Sequence, residues 1–240
     1  MKTDQMRNFA IIFTCLFALS CTAEAQLLKK AKGLLGGDKG FTKEEAANGL
    51  KEALIQGTSK GVDLLSKADG YLKNPEIKIP FPPEAKNVEK KLRGIGLNKQ
   101  VDEAVESLNR AAEKAAVEAK DIFVASIKQL TITDAINIVK GDKNAATQFL
   151  QRETTASLNS KFSPIIDNSL QEVGATRHWS TVMGSYNKIP FVKKVNPDLT
   201  AYVTEKAIEG MFVMIAKEEL NIRQNPGARA TELLKKVFGQ

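Results

Sequence analysis

The sequence Val101-Asp102-Glu103-Ala104-Val105-Glu106-Ser107-Leu108-Asn109-Arg110-Ala111-Ala112-Glu113-Lys114-Ala115-Ala116 sets Val101, Ala104, Val105, Leu108, Ala111, Ala112, Ala115 and Ala116 on one stripe. Its 3.6-residue period is that of an α-helix with one buried face. The small alanines leave room for neighbouring helices to come close. Downstream the pattern repeats. Ile122, Phe123, Val124 and Ile127 continue the burial over Ala119 to Lys128. Thr133 is placed to cap a helix from Asp134 to Lys140, which Gly141 ends. Asn144 is placed to cap the next, with Ala145, Phe149 and Leu150 inward. Ser163-Pro164 reads as a fresh helix start, a cap followed by proline at the first turn, and Gly174 as its close. Tyr202 to Leu220 is the longest buried candidate. Asn225-Pro226 opens a last helix with Leu233, Leu234, Val237 and Phe238 inward.

Upstream, Thr42 and Glu45 have the spacing of a capping box, and Phe41 can staple onto Ala46. The helix they open carries Ala46, Leu50, Leu54, Gly57, Gly61 and Leu65 on one stripe. Gly57 and Gly61 each cost about 1 kcal/mol of helix propensity, which suits a place where another helix backbone comes close. Between helices, Ile77, Ile79 and Phe81 alternate among Pro75, Pro80, Pro82 and Pro83, so this is an extended strap, not a central strand. Lys188 to Val192, running on to Asn196-Pro197, reads as a second strap, and the two together could make a small ribbon. Strands and helices do not alternate. The expectation is an all-α fold: one domain over residues 41–240, of about eight to ten helices with one or two Pro-rich straps.

The N-terminus reads as an export signal. Lys2 and Arg7 precede an apolar-leaning run, Phe9 to Leu19, and Ala23-Glu24-Ala25 offers small residues where a signal peptidase cuts. The run is too short to span a membrane as a helix, which needs roughly 20 residues. Cleavage would release a chain starting at Gln26. The alternative is a lipoprotein signal, Leu19-Ser20-Cys21, with Cys21 acylated. Residues 26–40, a basic piece ending in Gly36-Gly37-Asp38-Lys39-Gly40, form a tether. They lack the Gly-Lys-Ser/Thr pattern of a phosphate loop.

Both cysteines, Cys15 and Cys21, fall in that signal, so a chain from Gln26 has no thiol chemistry and no disulfide. The single histidine, His178, beside Trp179, cannot by itself build a His-rich metal site, and it reads as a surface or helix-end residue. No metal or cofactor is expected. The net charge of +7 is spread over interleaved acids and bases, as in Glu118-Lys120-Asp121 and Lys217-Glu218-Glu219. A nucleic-acid binder would gather its cations on one face. The basic excess leaves room for peripheral contact with anionic lipid. Asp102, Glu103 and Glu106 crowd one helix and Asp167 and Glu172 another, as charged helix surfaces do by default. Two binding candidates remain. Arg223 and Arg229 could grip a carboxylate or phosphate, or pair with nearby Glu218, Glu219 and Glu232. Met211, Phe212 and Met214 lie in an apolar run, Gly210 to Ala216, that is either a helix covered on every side or the lining of an acyl-chain cavity.

Six segments carry a resemblance. They are Gly49-Leu50-Lys51-Glu52-Ala53-Leu54, Asn74-Pro75-Glu76-Ile77-Lys78-Ile79-Pro80, Asn109-Arg110-Ala111-Ala112-Glu113, Ala145-Ala146-Thr147-Gln148, Tyr202-Val203-Thr204, and Ile222 to Pro226 with Leu233 to Gly239. In order and spacing they resemble the exported bacterial family called domain of unknown function 4197, over about residues 45–239. The resemblance implies a single helical domain in the bacterial envelope and assigns no catalytic residue. The expected role is non-catalytic binding of an envelope protein or an amphiphile. The alternatives are a carrier of an apolar ligand such as a lipid and, third, a hydrolase of envelope material.

Overall fold

A computed structural model describes residues 42–188, 190, 191, 194–225 and 227. Among these residues eight α-helices follow one another: α1 (Lys43–Leu65), α2 (Lys86–Gly94), α3 (Asn98–Ala116), α4 (Ala119–Gln129), α5 (Ile132–Lys140), α6 (Ala145–Glu172), α7 (Ala175–Tyr186) and α8 (Leu199–Gln224), with a 3₁₀ turn at Pro83–Ala85. Among the described residues there is no strand, and the helices form one globular all-α domain. α6 and α8 pack on each other at the centre; α1 and α3 flank them, α4 and α5 pack across α1 and α6, and α7 covers one end. No single described helix is long and apolar enough to cross a membrane.

The stripe of residues 101–116 is the inner face of α3, buried from Val101 to Ala116 except at Ala104. In α1 the buried alanines are Ala47 and Ala53, while Ala46 is only half-buried. Gly57 and Gly61 face α8, but what comes near them is side chain and not helix backbone: a Cβ on Gly57 would lie 3.4 Å from the Ile222 side chain, and one on Gly61 3.9 Å from that of Ile215.

Three local expectations are corrected. Ser163-Pro164 does not start a helix; Pro164 lies inside the unbroken α6. Pro in a helix interior loses a hydrogen bond and costs about 3 kcal/mol. Here Leu150, Thr154, Leu158, Phe162, Ile166 and Leu170, every fourth residue, are all buried through the site. Burying one large apolar side chain contributes about 1.5–3 kcal/mol, so the row outweighs the proline. Pro164 and Ser160, whose carbonyl loses its partner, are both exposed, so water can take the free oxygen. Second, α5 is capped by Thr131, not Thr133: Thr131 Oγ1 accepts from the Asp134 N–H at 3.1 Å, and the Asp134 carboxylate accepts from the Thr131 N–H, also at 3.1 Å. These bonds to Thr131 hold the Asp134 carboxyl below the usual carboxylate range. Third, Gly210 to Ala216 is not covered all round, since Val213 is 42% exposed.

Among the described residues the two straps do not pair as a ribbon. Each is fastened instead by an asparagine side chain. Asn109 of α3 accepts from the Ile79 N–H and donates to the Ile79 carbonyl, both at 2.8 Å. Asn187, just past α7, does the same to Val195, at 2.8 and 2.7 Å. A side-chain amide thus stands where a neighbouring strand would supply the pair of bonds. The Phe41 staple and the last helix, from Pro226 with Leu233 to Phe238, lie outside the described residues.

Candidate functional site: an apolar cleft beside α2

The first strap passes between α3 and α8 and is locked from both sides. Tyr71 is fully buried and its hydroxyl donates to the Ala207 carbonyl at 2.7 Å. Burial raises the Tyr71 pKa far above the ordinary tyrosine value. The Tyr71 and Leu72 N–H groups donate to Glu113 Oε1 at 3.0 and 3.2 Å. Gly70 makes this turn possible, since a Cβ there would stand 2.5 Å from the Leu64 carbonyl oxygen. Arg110 closes the knot, donating to Glu113 at 2.7 Å and to Asp69 at 2.9 Å. Hydrogen bonds from Lys73 and Arg110 hold the Asp69 carboxyl below its usual range. Beyond Ile79, the Tyr202 hydroxyl donates to the Pro80 carbonyl at 3.2 Å. These bonds fix where Phe81 and Pro82 emerge.

There the cleft opens. Phe81 and Pro82 of the strap, Val88 and Leu92 of α2, Ala104 and Leu108 of α3, Trp179 and Met183 of α7, and Leu199 of α8 line a space of about 680 Å³. The polar lining groups are Gln100, Glu103, Ser107 and His178. Trp179 donates from Nε1 to the Asn196 carbonyl at 3.2 Å, and its ring is 6.2 Å from Phe81. The α7 wall is therefore held by the second strap as the opposite wall is held by the first.

α2 is the loose wall. It has no buried residue and packs on α3 and the 3₁₀ turn. Arg93 ties it down, donating to Glu89 at 3.0 Å and to Asp102 of α3 at 2.9 Å. On the side where Glu89, Arg93 and Asp102 lie is a second, more polar cleft of about 390 Å³. Just after α2, Ile95 is 73% exposed and Gly96 has a left-handed φ of 89°.

The sequence candidates lie elsewhere. Met211 is fully buried, Phe212 packs edge-on against Phe123 at 5.9 Å between centroids, and the partly buried Met214 accepts from Asn74 Nδ2 at 3.5 Å. None of the three lines the large cleft. Arg223 is nearly buried at the far end of α8. It donates to Glu219 at 2.8 Å and to the Ile138 carbonyl at the end of α5 at 2.9 Å. Glu219 in turn accepts from the Ala146 and Thr147 N–H groups, at 3.0 and 2.8 Å, at the start of α6. This carboxylate satisfies helix-end donors that Asn144, the expected cap, leaves free. Arg229, Ala25, Gln26 and Cys21 lie outside the described residues. The buried pair Asn109 and Glu113 was missed, and its signal was available: both polar residues fall inside the apolar stripe of α3.

Among the described residues no three His, Asp or Glu side chains gather as metal ligands. The acids of α3 and α6 are engaged: Asp102 with Arg93, Glu103 with Lys99, Glu106 with Arg110, Glu172 with Lys114, and Asp167 with Thr200. Fold and site define an all-α protein with a pre-formed, mainly apolar cleft. The chain belongs to the family described as protein of unknown function (DUF4197), whose profile matches residues 40–239. No curated protein and no solved structure matches it.

Proposed function

We propose that this protein is a non-catalytic binding protein of the bacterial envelope, and that the cleft between α2, α3 and α7 takes the apolar chain of an amphiphile. The cleft carries the reading: about 680 Å³, walled by aliphatic and aromatic side chains with four polar groups. Small-molecule sites are typically concave, apolar with a few polar groups, and about 300–1,000 Å³ in volume. An amphiphile suits this mixture, since its chain meets the apolar wall and its head can meet Gln100, Ser107 or His178. The export signal read at residues 1–25 supports the compartment.

Native mass spectrometry of the processed protein, purified gently from its own envelope, tests this. The expected result is an adduct of lipid-like mass that is lost on activation and is absent from Ala104→Trp, a substitution that fills the cleft from α3. The reading fails if the wild type carries no adduct and binds no added amphiphile, or if Ala104→Trp binds as well as the wild type. A co-purifying protein in place of an adduct would favour a protein partner over an amphiphile.

A further inference from the structure

The cleft does not end with its apolar part. Gln100, Glu103, Ser107, Arg110 and Lys114 follow one another at intervals of three or four residues, so they run along one side of α3. The first three line the apolar cleft. The last four line a further cleft of about 360 Å³, together with Glu172 at the end of α6. Glu103, Ser107 and Val173 belong to both linings, so the two clefts are successive lengths of one groove beside α3. Their walls differ in chemistry. No lysine or arginine lines the apolar length. The second length, a polar annex, has Glu103, Glu106 and Glu172 against Arg110 and Lys114. Each of these charges already has a partner: Glu103 has Lys99 at 3.7 Å, Glu106 has Arg110 at 3.2 Å, and Glu172 has Lys114 at 3.8 Å. Arg110 is held further by Glu113 and Asp69, at 2.7 and 2.9 Å.

We propose that the annex seats the head of the amphiphile, and that this head is an uncharged, hydroxyl-bearing group, as in a glycerol or sugar ester, and not a free carboxylate or phosphate. A hydroxyl both donates and accepts, so it can bond to these carboxylates and cations without separating an ion pair. An anionic head would lie among three carboxylates, and the cations that would offset them are taken. Like charges set side by side are one way in which a site rejects the wrong ligand. A fatty acid still binds through its chain, more weakly for its head. Assigning the head in this way rests on the cleft reading and adds to it the chemical class of the ligand.

Trp179 fluorescence tests it, with decanoate, monodecanoylglycerol and decylammonium as probes of equal chain length. The wild type is compared with a Glu103→Gln, Glu172→Gln double variant, whose two side chains are 61% and 69% exposed and carry none of the core. With two charges near the head removed, decanoate should bind the variant roughly fivefold tighter, while the glyceride binds both proteins alike. Ser107 stands where the two lengths join, and its hydroxyl donates to the Ala104 carbonyl at 2.7 Å, which leaves its lone pairs for a ligand hydroxyl. Ser107→Ala should therefore weaken the glyceride several-fold and leave methyl decanoate, which has no hydroxyl, unchanged. Three results overturn the head assignment: decanoate that binds wild type and double variant equally, a glyceride indifferent to Ser107→Ala, or decylammonium that binds the wild type tighter than the glyceride does. In each of these the probes still bind and the cleft stands. Emission that no probe moves in the wild type would remove the cleft reading itself, and the head assignment with it.

Discussion

Three glutamates among the described residues pair with an arginine four residues on, and two of the three pairs end up in opposite situations. Glu219–Arg223 has 7% and 14% of its side chains exposed; Glu89–Arg93 has 26% and 34%. Around the first, one carboxylate takes the N–H groups that open α6, and one guanidinium takes a carbonyl that closes α5. Three helices meet on a single ion pair. Around the second, the arginine reaches only its own helix and the largely exposed Asp102. The local pattern is identical and its consequence is set by what packs over it. A buried pair whose spare oxygens and donors are all used becomes a joint that cannot be opened cheaply. A surface pair is a tether that can be. The corner of α5, α6 and α8 is held by a joint and the α2 wall of the cleft by a tether.

The largest effect should come from the joint. Glu219→Ala removes the carboxylate shared by Arg223 and two α6 amides, and should cost about 3–5 kcal/mol in urea denaturation. A loss below about 1 kcal/mol would mean that the pair is as dispensable as a surface bridge and would erase the contrast. Next comes Asn109→Ala, which strands the N–H and the carbonyl of buried Ile79; unsatisfied buried groups cost about 1–3 kcal/mol each, so a loss of about 2–4 kcal/mol is expected. Thr131→Ala, which removes the α5 cap, gives an intermediate yardstick of about 1 kcal/mol. Arg93→Ala should stay below about 1 kcal/mol in global stability. It should nevertheless speed amide exchange in α2 and leave α6 unchanged, as expected for local opening of a thinly packed element. Exchange that rises equally in both helices would show that α2 is not separable from the frame.

Alkaline titration should give the smallest signal. Burial, and secondarily Glu84, pushes the Tyr202 hydroxyl up to about 12. Because the folded value lies above the unfolded value near 10, burying the neutral hydroxyl makes a contribution to stability that is complete below pH 10 and is lost as the pH rises toward 12. Tyr202→Phe should therefore flatten the decline in stability over that window, measured by denaturant titration at each pH.

How far the sequence discloses this arrangement differs from residue to residue. The stripe of α3 is legible because one periodicity speaks for one buried face. Pro164 misleads because cap-then-proline is a local rule, and a row of six buried residues overrides it. Thr131 and Thr133 are both able to cap; the box formed with Asp134, three residues after Thr131, distinguishes them and could have been read. Met211 and Phe212 look alike as core or as cavity wall, since both need large apolar side chains. The cleft itself joins Phe81, Leu92, Ala104, Trp179 and Leu199 from five separate segments, and no local pattern announces such a meeting.

Trp179 offers the most direct test of the cleft, because it is the only tryptophan in the chain and part of the wall. Titration with fatty acids brominated along the chain should quench its emission saturably. Shortening the chain by two methylenes should weaken binding by about 1.6 kcal/mol, roughly fifteenfold in Kd. Quenching that is absent, or that neither saturates nor depends on chain length, would contradict the assignment of this cleft to an amphiphile.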